Sequence, residues 1–153
     1  MNFGSQTFAI EILTPQSMVY SGQVVSAVFP AQDGLFGVLR GMAPTVAMVG
    51  AGPLRFTTAD GKARELFVAR GFMHVLADVM TVLTEEALSI DEIHPEDVRA
   101  ELQRAREMPS DTPRALADRQ AAMQAAYAKL GLLHKYKKVQ SDQAATKPAD
   151  ATA

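Results

Sequence analysis

Glycine is distributed unevenly along this chain, and that asymmetry constrains its fold more than any other feature. Nine of the 10 glycines lie before residue 90, and only Gly131 lies after it. Tight turns between extended segments need glycine, whereas glycine inside a helix is destabilising. After residue 90 the chain is rich in Ala, Arg, Gln, Glu and Leu, most of which favour helix. The sequence therefore predicts an N-terminal β unit followed by a helical unit.

Short apolar segments fill the first ninety residues. Phe8, Ile10 and Ile12 alternate with Thr7, Ala9 and Glu11, which is typical of a strand with one buried face. Further candidate strands span residues 18–20, 24–29, 45–49, 54–56, 65–69, 73–76 and 79–83. Turn signals lie at Gly22, Asp60-Gly61 and Ala77-Asp78. This spacing predicts an all-β sandwich, or flattened antiparallel barrel, over residues 1–88.

Two helices are predicted over residues 89–138. Pro95 and Pro113 suit first helical positions, and Thr112 is a good cap after the break at residues 109–111. Helical spacing groups Val98, Leu102, Ala105 and Met108 into one apolar stripe, and Leu116, Met123, Tyr127 and Leu130 into another. The short break predicts an antiparallel hairpin. Because both stripes are narrow, we expect the hairpin to depend on docking elsewhere. Residues 139–153 are predicted to be a disordered tail.

Composition and the absence of known motifs argue against catalytic, metal and nucleotide sites in this chain. The net charge is -2, so no global field attracts nucleic acid. Cysteine is absent, and none of His74, His94 and His134 has a second histidine at metal spacing. No Gly-x-Ser-x-Gly elbow or phosphate loop is present. We therefore predict no catalytic residue, no metal and no cofactor. No apolar stretch reaches the roughly 18 residues that cross a bilayer, so we expect membrane association only through partners.

Six acidic residues crowd the junction between the two units, with no Lys or Arg among them. They are Glu85, Glu86, Asp91, Glu92, Glu96 and Asp97. Such a cluster could bind a cation or hold a paired acid and base. We favour a solvated linker that complements the dipole of the following helix.

The second helix carries bases and no acids between residues 119 and 138. The bases are Arg119, Lys129, Lys135, Lys137 and Lys138. One interpretation is that the late lysines complement the helix C-terminus and stay solvated, which accounts for residues 134–138. The other is a mobile basic helix that docks on an acidic protein surface. Only the second interpretation accounts for the absence of acids along the whole length.

Several segments, in this order and spacing, resemble the epsilon subunits of F-type ATP synthases. They are residues 14–15, 20–22, 33–44, 67–75 and 79–83, and residues 33–44 read DGLFGVLRGMAP. The resemblance covers about residues 7–138. It implies a β-sandwich with two helices, as the pattern predicts independently. It also implies a noncatalytic central-stalk (rotor) subunit of a proton- or sodium-translocating enzyme.

The resemblance implies partners as well. The β unit would contact the gamma subunit and the c-ring. The hairpin would be a movable arm that reaches the alpha/beta catalytic head and opposes ATP hydrolysis. The chain would be a peripheral protein at the cytoplasmic face of the bacterial inner membrane, with no nucleic-acid partner. The alternative function is a free-standing β-sandwich module that recognises a ligand on its loops.

Individual positions follow from the resemblance. The ring-facing loop of the family matches Asp33, Gly34, Leu35, Gly37, Arg40 and Met42. Leu35 replaces a frequent acid, Arg40 a frequent proline and Met42 a frequent histidine, which makes the predicted contact less polar and changes its charge. A later hairpin usually reads Gly-Gly in the family. Because Arg70 precedes Gly71 here, the first site need not have a positive φ.

Some members of the family bind ATP through Ile/Leu-Asp-x-x-Arg-Ala on the first helix. Ile90-Asp91 is followed by His94-Pro95, and Arg99-Ala100 is preceded by Pro95-Glu96, so both matches are partial. Glu96 and Arg99 are the nucleotide candidates, although an exposed i,i+3 ion pair explains them equally well. We expect no tight nucleotide binding.

Overall fold

A computed structural model describes residues 6–146 of the chain. Its strands are β1 (Phe8–Leu13), β2 (Met18–Ala31), β3 (Gly34–Val38), β4 (Thr45–Val49), β5 (Gly52–Thr58), β6 (Ala63–Leu76) and β7 (Val79–Ser89). A short 3-10 turn, Ile90–Glu92, leads into the helices α1 (Pro95–Glu107) and α2 (Pro113–Thr146). The predicted all-β sandwich followed by two helices is confirmed.

The sheet closes on itself as a flattened barrel. β1 pairs with β2 and β7, β7 with β6, β6 with β5, and β5 with β2, while β4 joins β6 and β3 joins β2. The ladders are antiparallel as predicted, except that β1 and β7 are parallel. A closed ring of five strands cannot alternate direction all the way round. One of its ladders must therefore be parallel.

The main core fills this barrel. Phe8, Ile10 and Ile12 of β1 are fully buried, as their alternation predicts. Inward residues of the other strands complete the cluster: Val24, Phe29, Leu54, Val68, Met73, Met80 and Val82. The turns at Gly61 and at Ala77-Asp78 are confirmed, and the last two have φ values of 49° and 60°, as a type I′ hairpin requires.

The predicted turn at Gly22 is wrong, because β2 runs through it and pairs Gly22 with Ile10. A Cβ at Gly22 would lie 2.8 Å from the Tyr20 hydroxyl. The glycine therefore makes room for the Tyr20 ring, which packs on Phe56 with 4.6 Å between ring centroids. The candidate strands at 65–69 and 73–76 are likewise one continuous strand, β6.

Arg70 has a φ of 55°, so its backbone is left-handed although the residue is not glycine. Arg70 lies 3.7 Å from both Glu85 and Asp118 as an ion pair, and these contacts favour arginine in a conformation that usually selects glycine. The next residue, Gly71, has no room for a side chain.

The helical hairpin is antiparallel, and α1 buries Val98, Leu102 and Ala105 as predicted. The Thr112 cap is also present, since the Ala115 N–H donates to Thr112 Oγ1 at 3.1 Å. The apolar stripe predicted for α2 is wrong at two of its four positions, since Leu116 is 42% exposed and Tyr127 is 49% exposed. Met123 and Leu130 are half-buried and pack against buried residues of the helices and the sandwich. Instead α2 buries Ala126, Lys129 and Leu132. Small residues let α2 approach α1 closely, whereas Leu116 and Tyr127 face outward.

Helix α2 continues to Thr146. The prediction of disorder from residue 139 is therefore wrong for residues 139–146, where Gln143, Ala144 and Ala145 include good helix formers. Residues 147–153 lie outside the described residues. The predicted domain boundary at residue 88 stays a prediction, and β7 ends at Ser89.

Candidate functional site

Several exposed apolar residues lie on one face of strands β4, β6, β7 and β1, which we call the outer sheet face. Its first row consists of directly paired residues, Met48 with Phe72 and Phe72 with Leu83. Leu13 of β1 pairs with Leu83 and continues the row. Met48 is 52% exposed, Phe72 56% and Leu83 49%. Residues paired across neighbouring strands project to the same side, so these side chains form one surface.

Two further rows extend the outer sheet face. Val46 pairs with His74 and is 75% exposed, and Leu76 pairs with Val79 and is 57% exposed. Strands that face water on one side normally alternate apolar with polar residues. A contiguous exposed apolar area marks an interaction surface. Because it is a sheet face rather than a cleft, it suits a large protein partner.

The predicted ring-facing residues do not form one loop. Asp33 lies in the turn between β2 and β3, and Gly34, Leu35 and Gly37 belong to strand β3. Leu35 is 65% exposed and lines an open groove together with Met48. The turn and β3 therefore continue the outer sheet face at one edge.

The two remaining ring-facing candidates have different roles. Arg40 forms an ion pair with Asp78 at 3.6 Å, and the neighbouring Gly41 N–H donates to Asp78 Oδ1 at 2.7 Å. These contacts tie the segment after β3 to the turn between β6 and β7. Met42 is half-buried and packs against the main core. Because Met42 is half-buried, only part of its side chain is available to contact a partner.

A second cluster of buried residues joins the helices to the sandwich. Phe67 and Ala69 of β6 pack with Ile93 and with the helix residues Val98, Leu102, Ala126 and Leu132. This cluster is small beside the main core. The hairpin therefore docks through modest apolar burial, in line with the predicted dependence on other contacts.

A buried lysine bridges three elements at the edge of this second cluster. Lys129 of α2 donates to Glu86 Oε1 of β7 at 2.6 Å and to Glu101 Oε2 of α1 at 2.8 Å. Its side chain is 3% exposed, and its Nζ lies 5.3 Å from the centroid of the Phe67 ring. We call Glu86, Glu101 and Lys129 the buried triad. Lys129 is thus not part of a solvated basic stripe, because its charge is neutralised inside the protein.

The buried triad should resist alkaline pH. Burial is the largest single influence and lowers the pKa of Lys129, but the hydrogen bonds and charges of Glu101 and Glu86 together outweigh it, so the pKa is raised. A raised pKa stabilises the folded state below the ordinary lysine value of about 10.4, and this stabilisation is lost as the pH rises through the folded value. We expect the hairpin to stay docked to pH 10, as measured by fluorescence energy transfer between labels on α2 and β5. Undocking near pH 8 would contradict the charged triad.

The other basic candidates of α2 are dispersed. Lys135 pairs with Glu65 of β6 at 3.4 Å, and Arg119 lies 3.4 Å from the Ser110 hydroxyl. Lys137 and Lys138 are exposed. Only the last part of the predicted basic helix is therefore presented to solvent as a cationic surface.

The nucleotide candidates Glu96 and Arg99 are both exposed on α1. No ion pair joins them in the described part of the chain, so the predicted i,i+3 pair is not formed. In the acidic junction, Glu86 belongs to the buried triad. Glu92 accepts hydrogen bonds from the Ser89 N–H and hydroxyl, which lower the pKa of Glu92. Within residues 6–146, no three His, Asp or Glu side chains are grouped to hold a metal ion.

Neither helix described between residues 6 and 146 combines the length and the apolarity needed to span a bilayer.

Residues 7–90 match the family described as "ATP synthase, Delta/Epsilon chain, beta-sandwich domain". The "ATP synthase epsilon chain" of Ruminiclostridium cellulolyticum is 41% identical over 101 residues, covering 66% of this chain and 75% of that one. The protein of the same name from Brucella anthropi is 31% identical over 107 residues, covering 70% and 79%.

Two solved assemblies contain chains of similar fold. One is the Euglena gracilis mitochondrial ATP synthase, OSCP/F1/c-ring, with a TM-score of 0.70, 23% identity, and coverage of 84% of this chain and 82% of that one. The other is the central stalk/c-ring of the Tetrahymena thermophila mitochondrial ATP synthase, with a TM-score of 0.63, 11% identity, and coverage of 82% and 95%. At these identities the likeness supports the fold.

Proposed function

Since the chain belongs to the epsilon-chain family of ATP synthase subunits, we propose that it couples the gamma subunit to the c-ring and restrains ATP hydrolysis through its helical hairpin. Members of this family are structural subunits of the complex and not catalytic ones. We further propose that the chain is held at the cytoplasmic face of the bacterial inner membrane by the complex alone, as a peripheral protein.

The outer sheet face carries the proposed contact with gamma. Met48, Phe72 and Leu83 would be buried in this interface, and large apolar side chains at the centre of an interface supply most of its binding energy. The rigid barrel behind them gives each side chain a fixed position. A rotor subunit must transmit torque, so a preformed surface on a closed barrel suits it better than flexible loops.

The turn between β2 and β3, with strand β3, carries the proposed contact with the c-ring. Leu35 projects from it, and Arg40 lies beyond the far end of the strand beside Asp78. Arg40 is thus a paired rather than a free charge at this surface. An apolar Leu35 predicts a contact with the ring whose strength depends little on salt.

The helical hairpin carries the proposed restraint. Its small buried cluster with the sandwich and its exposed residues Leu116 and Tyr127 suit an arm with a second docking site on the alpha/beta catalytic head. Two states with comparable contacts can be exchanged by small differences in binding free energy. The exposed Lys137 and Lys138 would steer the released arm toward acidic surface.

Deleting residues 112–153 tests this restraint. We expect ATP hydrolysis by the assembled complex to rise severalfold, because the arm can no longer reach the catalytic head. The measurement is the hydrolysis rate of complexes with full-length and truncated chains at equal subunit occupancy. Co-purification with gamma is the control, since the outer sheet face is intact in the truncated chain. An unchanged rate at full occupancy would show that the arm does not restrain hydrolysis.

The free-standing binding module remains the second candidate. It requires a concave pocket with converging polar groups. The exposed row of Met48, Phe72 and Leu83 lies instead on a sheet face, which favours a protein partner. A monomer that ignores gamma at micromolar concentration would restore this alternative.

A further inference from the structure

We propose that the ion pair between Glu86 and Lys129 is the charged contact that decides whether the hairpin is docked on the sandwich or released from it. Glu101 remains paired with Lys129 in both states. This inference rests on the proposed function only for the existence of a released state. It assigns the main electrostatic difference between the two states to one carboxylate of β7.

The connectivity of the buried triad sets this asymmetry. Lys129 lies on α2 and Glu101 on α1, so their pair is internal to the hairpin and moves with it. Glu86 lies on β7, so its pair with Lys129 must break when the hairpin leaves the sandwich. A contact shifts an equilibrium only when it differs between the two states. By this criterion, of the two carboxylates that hold Lys129, Glu86 favours the docked state and Glu101 does not.

Two other ion pairs cross between the units among the described residues, and both are more exposed. Arg70 pairs with Asp118 at 3.7 Å, and Lys135 pairs with Glu65 at 3.4 Å. Their side chains are 30–52% exposed, whereas that of Lys129 is 3% exposed. Exposed pairs contribute little because water and salt screen them. The Glu86–Lys129 pair is therefore the strongest charged contact between the two units.

Partial exposure of Glu86 makes the pair reversible. The Glu86 side chain is 35% exposed, so its carboxylate can regain water when the hairpin leaves. Lys129 keeps Glu101 as a partner after release. Neither charge is then left buried without a partner, which is the costly outcome when a buried pair is broken. The pair is thus suited to opening and closing, unlike a fully enclosed one.

The test measures the ratio of docked to released hairpin in the full-length chain. Since the sequence has no cysteine, Ala59→Cys and Gln120→Cys provide two exposed labelling sites, one on the sandwich and one on α2. Distance distributions between spin labels, recorded over a series of low urea concentrations, give the ratio. We expect Glu86→Gln to lower this ratio about tenfold, the low end for a charge-assisted hydrogen bond because the site is partly screened.

Three controls distinguish loss of the Glu86–Lys129 ion pair from general destabilisation of the chain. Asp118→Asn removes an exposed pair and should change the ratio less than twofold. Glu101→Gln should change it less than threefold while lowering the resistance of α1 and α2 to unfolding. In a Lys129→Met background, Glu86→Gln should have no further effect, because its partner charge is gone. If Glu86→Gln does not fold, the ratio of docked to released hairpin is measured for Lys129→Met alone, which removes the same ion pair.

The outcomes are distinct. The proposed role of the Glu86–Lys129 pair would be overturned if Glu86→Gln changed the ratio of docked to released hairpin no more than Asp118→Asn does. It would also be overturned if the effect of Glu86→Gln persisted in the Lys129→Met background. Hydrolysis by the assembled complex tests the proposed function separately, because Glu86→Gln should lower it by releasing the arm toward the head. If the ratio of docked to released hairpin shifted while hydrolysis stayed unchanged, the role of the Glu86–Lys129 pair would be supported and the proposed restraint of hydrolysis would be contradicted.

Discussion

Replacing Phe72 with Asp should weaken binding to the gamma subunit by about 100-fold or more, since it places an unpaired charge at the centre of the proposed interface. Phe72 is 56% exposed and occupies the middle of the row formed with Met48 and Leu83. The free chain should lose at most about 1 kcal/mol of stability, because the substitution lies outside the core. The measurement is the Kd for purified gamma together with a urea unfolding curve.

A matched substitution separates the outer sheet face from general apolar exposure. Val139 is 44% exposed and lies on α2, outside the outer sheet face. Val139→Asp should leave the Kd for gamma within about threefold, a difference below 1 kcal/mol. Equal losses for both variants would mean that gamma does not recognise the outer sheet face.

Replacing Gly71 with Ala should lower the free energy of unfolding by about 3 kcal/mol, at the upper end for overpacking. A Cβ at Gly71 would lie 1.9 Å from the Leu83 carbonyl oxygen and 2.8 Å from the Thr84 Cα. Both atoms belong to the backbone of β7, so no side-chain rotation can relieve the contact. Strands β6 and β7 would have to separate locally, beside the second buried cluster.

Gly37 provides the control for this prediction. A Cβ there would meet nothing within 4 Å, and the backbone of Gly37 does not have the left-handed φ that favours glycine. Gly37→Ala should therefore be neutral or stabilise by up to about 1 kcal/mol through the unfolded state. The measurement is the free energy of unfolding of both variants by chemical denaturation. Similar values would show that β6 and β7 are not in close contact at Gly71.

Local patterns predicted the β unit well because its signals are local. Period-two alternation identifies the buried face of β1, and the Ala77-Asp78 turn lies between β6 and β7 as predicted. The parallel ladder between β1 and β7 could not be predicted in this way, since it follows from closing a ring of strands. Gly22 misled for a similar reason: its role is to accommodate the Tyr20 ring, which is a packing constraint rather than a turn.

The candidate site was harder to predict. Thr45 to Val49 and Phe72 to Leu76 are rich in apolar residues at both odd and even positions, which indicates strands covered on both faces. That signal could have predicted the outer sheet face, where such a cover would be a partner. The buried triad leaves no local signal, because Glu86, Glu101 and Lys129 are brought together only by docking. Charge counting therefore grouped Lys129 with the other bases of α2 and did not predict its partners.

A cryo-electron microscopy map of the assembled ATP synthase tests the account most directly. It should show the side chains of Met48, Phe72 and Leu83 enclosed by gamma, with the exposed fraction of Phe72 falling from 56% to that of a core residue. A map in which this face of the sheet stays in solvent, while gamma holds a different surface of the barrel, would contradict the proposed coupling.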